Sequence, residues 1–383
     1  MHSGYIVTSD CTWFTASANA YQKLRLVTQT FQGKVFVPQG CQSWVHDEFQ
    51  DSIVQYSWPH CLVKRIVGKI TLAFQYWWAF WSLRRQVDRW FVAPSNEMSF
   101  LACWIAECFS RKPFVLFCWD PPGVSVRDRQ DVFSKLRCRL MDFLMGHAVL
   151  HSEQMILNLH PDFLSGRFTA KERQKVVTFP NGTLVDVNAA NVHGVEKVLH
   201  RIAVNSKFEA AKGCFEMAQL FVAIRKRITD ASMVWTGDGC DREKVLRMLR
   251  EAGIPDNAII APGRIPQREA MRMLATAQLA VNSYEDVPSL RWNYVLKIPE
   301  FQSIGVPVVS VDLPGAREYI KDGVNGLLIT TKRLIESQDR IVNLLNDADH
   351  CQNLAKSAFE SVRDYDWMII NSSIAKTITN RGI

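Results

Sequence analysis

Residues 292–329, WNYVLKIPEFQSIGVPVVSVDLPGAREYIKDGVNGLLI, constrain the fold of this chain more than any other stretch. They predict a short helix, a buried strand, a Pro-Gly turn, a second helix and an Asn-Gly turn that leads into another short strand. Pro299 suits the first turn of a helix, where a missing N–H leaves no bond unmade. Gly305 stands where a helix would end on a left-handed residue. VPVVSV at 306–311 is a continuous Val-rich run, the pattern of a parallel strand buried on both faces. Pro314-Gly315 and Asn325-Gly326 are turn signals on either side of a helix expected over 316–321, and 327–329 returns as a strand. In an open parallel sheet, ligands sit beyond the carboxyl ends of the strands, against helix N-termini that favour phosphate. Lys297 and Glu300 fall at such a helix start. There the Glu300 carboxylate can accept two ribose hydroxyls, or it can simply offset the helix dipole. Its position alone leaves both roles open.

The rest of the chain repeats this alternation of apolar runs and amphipathic stretches. Strands are expected at 5–8, 34–37, 89–92, 114–117, 148–150 and 175–179, then at 202–205, 233–236, 258–260, 279–283, 306–311 and 327–329. Helical patterns fill most gaps, most clearly at 241–252 and 267–277. Strand–helix alternation implies parallel sheets with right-handed crossovers, and about twelve strands are too many for one ordinary sheet. With 383 residues, 48% of them hydrophobic and 22% charged, there is apolar material for two cores. The best boundary is the turn cluster Pro180-Asn181-Gly182, which predicts an N-terminal domain over 1–180 and a second domain from 181.

The net charge of +7 suits phosphorylated substrates or an anionic membrane surface. No dense Lys/Arg tail marks a nucleic-acid arm, so no nucleic-acid partner is expected. The N-terminus runs straight into the strand-like GYIVTS with no signal-peptide pattern, and the ten cysteines form no C-x-x-C pair. They read as reduced, buried small side chains of a cytoplasmic protein. No His/Cys/carboxylate cluster has metal spacing, so neither a metal nor a cofactor is expected. Residues 60–91, HCLVKRIVGKITLAFQYWWAFWSLRRQVDRWF, stand apart. Polar residues recur there at helical spacing beside a broad aromatic face, in a stretch too short and polar to span a bilayer. It is either a core helix packed on the first sheet or an interfacial helix on an anionic bilayer, at the inner face of the membrane.

Six short pieces in the second half give a more specific signal by their order. FPNGTLVD (179–186) resembles a "PNG-x-D" segment, NSKFEAAKG (205–213) a "GR…KG" segment, and VWTGDG (234–239) "hhGdG". APGRI (261–265), PEFQSIGVPVV (299–309) and PGAREYIKDGVNGLLI (314–329) complete the set. Together they resemble the donor half of the retaining GT-B glycosyltransferases, the family 4 group also called glycosyl transferases group 1. The resemblance covers about 179–330 well and 1–178 only in pattern. It implies two Rossmann-like domains facing across a cleft, a donor domain over 181–357, and crossover helices over 358–383 that pack back on the N-terminal domain, with Trp367 as an anchor.

It also implies roles. Lys207 and Lys212 would hold the donor diphosphate; Lys207 stands where the family has Arg and so lacks its bidentate fork. Gly213 would let the backbone approach the ligand. Gly237 and Gly239 match the loop after the second donor-domain strand, and Gly263, Arg264 and Ile265 the loop that reads the base. Glu300 matches the ribose-binding glutamate, within a Lys297-x-x-Glu300 variant. Eight positions earlier, where a second, sugar-contacting acid is frequent, stands Trp292; Glu285 could replace it if 286–292 are an insertion. In the N-terminal half, Trp119 and Asp120 follow the strand at 114–117, where the family places a polar active-site residue. Asp120 is either a turn residue before Pro121-Pro122 or a carboxylate beside the anomeric carbon or the acceptor hydroxyl. GHAVLHSEQ (146–154) resembles a family strand, with His147 where Asp is usual. Ala16-Ser17-Ala18 replaces the usual glycine loop.

The expected activity is transfer of a sugar from a nucleoside diphosphate sugar to a glycan or lipid-linked acceptor. Epimerisation or hydrolysis of the nucleotide sugar, and a non-catalytic nucleotide-sugar-binding scaffold, are the alternatives.

Overall fold

Strands form where β-branched and aromatic residues can be shielded on both faces, and two sheets result. The computed structural model describes residues 3–6, 18–38, 51–56, 77–94, 97–110, 112–118, 127–284, 286–288, 290–329 and 334–380. The chain divides into two units, Met1–Pro180 with Met368–Ile383, and Asn181–Trp367.

The first unit holds β1 (Ser3–Ile6), β2 (Lys34–Pro38), β3 (Ile53–Tyr56), β4 (Arg89–Val92), β5 (Phe114–Cys118), β6 (Gln154–Leu157) and β7 (Val176–Thr178). They form one parallel sheet in the order β3-β2-β1-β4-β5-β6-β7. The central strands β4, β5 and β6 are buried throughout. Two expectations change here. Residues 148–150 are not a strand but the end of the helix Val132–His151, whose buried set Met141, Met145, Ala148 and Val149 keeps helical spacing. Ser152 ends that helix, β6 starts at Gln154, and His147 therefore lies on a helix. β3 was not expected: IVQY is a half-exposed edge strand without a long apolar run.

Within 60–91, residues 60–76 lie outside the described residues. Residues 77–83 are helical and turn Ala79, Phe80 and Leu83 into the core. Phe80 meets Trp90 and Phe114 edge-on at 5.4 and 4.8 Å. Trp81 is exposed under the Arg84 guanidinium. Residues 89–91 belong to β4, so the stretch is not one helix.

The second unit holds β8 (Val198–Asn205), β9 (Ser232–Thr236), β10 (Ile259–Gly263), β11 (Ala277–Asn282), β12 (Val308–Val311) and β13 (Gly326–Ile329). All are parallel, in the order β10-β9-β8-β11-β12-β13. This is the doubly wound 3-2-1-4-5-6 arrangement, whose order reverses between β8 and β11. The 292–329 unit takes the expected form. The helix Lys297–Ser303 ends in a Schellman motif: Gly305 has φ +67°, and the Val306 N–H donates to the Phe301 carbonyl at 3.0 Å. Its second helix starts on the turn itself, at Pro314–Arg317, because proline suits the first helical position. Ala358, Val362 and Tyr365 remain with this unit, so the final segment that rejoins the first unit starts at Met368 rather than at 358. There the Asn371 side-chain N–H donates to the Gln22 carbonyl at 3.3 Å.

Candidate functional site

Where the strand order reverses, the connections leaving β8 and β11 run to opposite sides and leave a crevice at the strand ends. The chain after β8 is Ser206-Lys207-Phe208-Glu209, then a 3-10 turn Ala210–Lys212 and the helix Cys214–Arg225. Phe208 stacks on buried Trp235 with ring centroids 4.1 Å apart. The Asp241 N–H donates to the Phe208 carbonyl at 2.9 Å, and its carboxylate accepts from the Ala210 N–H at 3.1 Å. That carboxylate also accepts from Lys244, and these bonds hold its pKa below the usual range. The loop carrying Lys207 and Lys212 is thus pinned from both sides.

Gly213 closes this loop onto the next strand. Its φ is +71°, and a Cβ there would lie 2.1 Å from the Ser283 carbonyl oxygen. Only glycine satisfies both the backbone conformation and the contact. The Ser283 hydroxyl donates to the Lys212 carbonyl at 2.8 Å, so the turns after β8 and β11 form one structure. Beside it lies the half-buried ring of Tyr284. The Lys212 ammonium stands 4.9 Å from the centre of that ring and the Lys297 ammonium 4.8 Å. One aromatic face system therefore gathers cations from two different helix starts, a contact favourable for each.

Lys297 and Glu300 share the first turn of their helix, both half-buried. Burial pulls Lys297 down to about 8, against the attraction of Glu300 and with the help of nearby Lys207. Burial pushes Glu300 up to about 7, against the attraction of Lys297. Lys207 itself is exposed, 3.5 Å from Glu209. The crevice therefore presents Lys207, paired with Glu209, together with Lys212, Lys297 and the reluctant Glu300 carboxylate. Such a set suits a ligand with concentrated negative charge next to hydroxyls.

The glycine loops differ in what they do. Added Cβ atoms at Gly237 and Gly239 would lie 2.3 Å from the Ser206 and Phe208 carbonyl oxygens. Both glycines bring the turn after β9 against the backbone of the lysine loop. Gly263, with φ +81° and open space around it, ends β10 on the same edge of the sheet, and exposed Arg264 and half-buried Ile265 follow. The structure thus brings Lys207, Lys212, Gly213, Lys297 and Glu300 to the β8 and β11 ends. Gly237, Gly263, Arg264 and Ile265 lie at the β9 and β10 ends. Asp120, Trp119 and Glu285 lie outside the described residues. Trp292 is half-buried beneath the Arg291 guanidinium, 5.4 Å from its ring centre. A cavity of 780 Å³ lined by Lys197, Val198 and Gln278 lies at the opposite, amino-terminal edge of the sheet and takes no part in this site. Tyr284 was missed from the sequence; its signal was its place immediately beyond the fourth strand of the unit.

Two parallel α/β units, one with a cationic crevice at its switch point, define a class of protein that binds phosphorylated ligands at strand ends. Residues 200–347 match the family model of the glycosyl transferases group 1. Among curated proteins, a D-inositol 3-phosphate glycosyltransferase of Nocardia farcinica is 26% identical over 133 residues, 34% of this chain and 28% of the relative. A poly(glycerol-phosphate) alpha-glucosyltransferase of Bacillus subtilis is 23% identical over 167 residues, 43% of this chain and 24% of the relative. The chain thus spans only about a quarter of these relatives' lengths. Among solved structures, Anabaena Alr3699/HepE in complex with UDP superposes with a TM-score of 0.73 at 15% identity, over 99% of this chain and 100% of that one. The lipopolysaccharide outer core galactosyltransferase WaaB, in its apo form, gives 0.66 at 15% identity over the whole of both chains. The fold is GT-B, and the stretch of its second unit that matches the glycosyl transferases group 1 model holds the crevice lysines and Glu300.

Proposed function

We propose that this protein is a retaining glycosyltransferase that moves a sugar from a nucleoside diphosphate sugar to an acceptor hydroxyl. The observation that carries the proposal is the convergence of Lys212 and Lys297 on Tyr284, one helical turn from Glu300, at the β8/β11 switch point. Lys212, Lys207 and Lys297 would bind the diphosphate and stabilise the charge it gains as it leaves, a task they perform without a metal. Glu300 would accept the ribose hydroxyls. Gly263, Arg264 and Ile265 would line the base, and uridine diphosphate, present in the Alr3699/HepE complex, is the first nucleotide to test.

In the reaction the bond between the anomeric carbon and the phosphate oxygen breaks, and the electron pair leaves with the diphosphate. The acceptor oxygen bonds to the same face of the anomeric carbon and gives its proton to the departing phosphate oxygen. Asp120 is proposed to stand near the acceptor. The relatives that act on glycerol-phosphate polymers and lipopolysaccharide support a polymeric or lipid-linked acceptor, handled by a cytoplasmic protein peripheral to the membrane. No described helix is long and apolar enough to cross a membrane.

The test is turnover of UDP-sugars by the wild type and by Lys212→Ala and Glu300→Ala. Full activity in both variants would overturn the site. A second reading, a non-catalytic nucleotide-sugar-binding subunit, is favoured by Trp292 in place of an acid. Tight donor binding with no transfer across an acceptor panel, and no release of free sugar, would establish it instead.

A further inference from the structure

The helix Val132–His151 of the first unit carries an apolar face left exposed among the described residues. Phe133 is 84% exposed, Leu136 64% and Phe143 56%, and Val132 and Leu140 are also exposed. Positions 133, 136, 140 and 143 follow the 3-4-3 spacing of a single helical stripe. The opposite face, with Ser134, Met141, Met145 and Val149, is buried against the unit. The stripe is therefore a second apolar face, not a misplaced core. A typical soluble protein scatters its exposed apolar residues singly, and a contiguous row of large ones marks a surface that something covers.

Charge says what covers it. By helical position, Arg137 borders the stripe on one side and Lys135 and Arg139 on the other; Lys135 and Arg139 are exposed and Arg137 half-buried. Asp128, just before the helix, is exposed; the two acids nearest the stripe are engaged. Asp142 accepts from Arg127 at 2.6 Å and lies 3.9 Å from Arg167, and Asp131 caps the helix by accepting from the Ser134 N–H. An apolar stripe edged by long cationic side chains matches a bilayer surface, where the stripe enters the acyl boundary and the cations reach anionic headgroups. A second copy laid on the same stripe would set cations against cations.

We infer that the Val132–Phe143 face docks this protein on an anionic membrane surface. The inference rests on the lipid-linked acceptor proposed above for its purpose, although not for its geometry. It moves the membrane contact expected of residues 60–91 to a different helix.

The experiment is co-sedimentation of the whole chain with vesicles of phosphatidylcholine, alone or with phosphatidylglycerol, in the absence of nucleotide sugar. Binding is expected to the anionic vesicles and to weaken with salt. Phe133→Ser with Leu136→Ser is expected to lower partitioning roughly a hundredfold. Lys135→Gln with Arg139→Gln is expected to lower it roughly thirtyfold, at about fivefold per cation. Both pairs lie on the surface, so thermal unfolding should match the wild type. Donor binding, measured without vesicles, should also be unchanged, so the docking face and the donor site can fail separately. Absence of vesicle binding, or binding indifferent to all four substitutions, overturns the inference. A dimer in sedimentation velocity that the Phe133/Leu136 variant abolishes, without vesicle binding, assigns the face to a second copy and also overturns it.

Discussion

Replacing Glu300 by Gln is expected to stabilise the second unit at pH 8 while weakening its hold on a nucleoside diphosphate sugar. Burial lifts the Glu300 carboxyl from 4.5 to about 7 in the folded chain. Between these values the folded state keeps a proton that the unfolded chain has released. Stability therefore falls as pH rises through this window and stays reduced above it. At about 1.36 kcal/mol per pH unit, the gross penalty is roughly 3 kcal/mol. Gln keeps the shape and removes the charge. It also removes the attraction that supports the Lys297 ammonium, itself pulled down to about 8 by burial. Leaving that cation without its partner offsets about half the gain, for a net stabilisation of about 1–2 kcal/mol at pH 8. At pH 4 the carboxyl is protonated in both states and the difference should vanish. Urea unfolding read by hydrogen exchange at β8 and β11 isolates the second unit from the first. Donor affinity, measured by titration calorimetry at pH 8, should fall about ten- to a hundredfold, the worth of hydrogen bonds to a charged acceptor. Equal stability of variant and wild type at pH 8, or the same shift at pH 4, would refute the desolvated-pair argument.

The glycines give a paired prediction. Gly213→Ala meets a carbonyl oxygen at 2.1 Å and a φ of +71°, whereas Gly263→Ala meets only a φ of +81° in open space. The first should cost more than about 2 kcal/mol in urea unfolding of the second unit and the second about 1 kcal/mol. Lys212→Ala should raise the Kd for UDP about tenfold or more, and more steeply at low salt. Tyr284→Phe should bind UDP almost as the wild type does, while Tyr284→Ala should weaken it several-fold, because the ring face and not the hydroxyl meets both ammoniums.

How much of this was legible depended on whether a residue's role is local. The strands of the second unit emerged within a few residues, since β11 and β12 are buried along their length and β9 beyond its first residue, and so read as mostly apolar runs. β3 escaped because an edge strand lacks that run, and 148–150 misled because AVL completes a helical stripe begun at Met141. Lys297 and Glu300 drew notice because Pro299 marks their helix start, whereas Lys212 was picked out by the resemblance alone. Tyr284 was not, since its importance arises only when two lysines, 85 positions apart, close on one ring. The aromatic density of 60–91 drew attention away from the exposed stripe of Val132–His151. In VFSKLRCRLMDFLM the apolar residues surround the helix, and only burial separates the inner set from the outer.

The charge balance of the crevice bears on what selects the sugar. Of the three lysines, exposed Lys207 already stands 3.5 Å from Glu209, and Lys297 stands beside Glu300, whose own burial resists ionisation, so the free site carries excess positive charge. A bound diphosphate would neutralise that excess and would also favour the charged form of Lys297, which otherwise titrates near 8. Donor binding should therefore take up protons near pH 8, and its affinity should drop as pH rises above that value. A sugar hydroxyl adds nothing to this balance. Trp292, eight positions before Glu300 and held beneath Arg291, offers a ring face and no carboxylate. Discrimination between sugars at that position would then come from stacking and shape, which separate close analogues by about 1–3 kcal/mol, and not from the larger penalty of stranding a buried acceptor. Calorimetry with UDP and with two epimeric UDP-sugars, in buffers of different ionisation enthalpy, measures both quantities. Proton uptake common to all three ligands, with affinities within about a hundredfold, is the expected result. Proton release, or a preference of several thousandfold for one epimer, would require an acid that the described crevice does not contain.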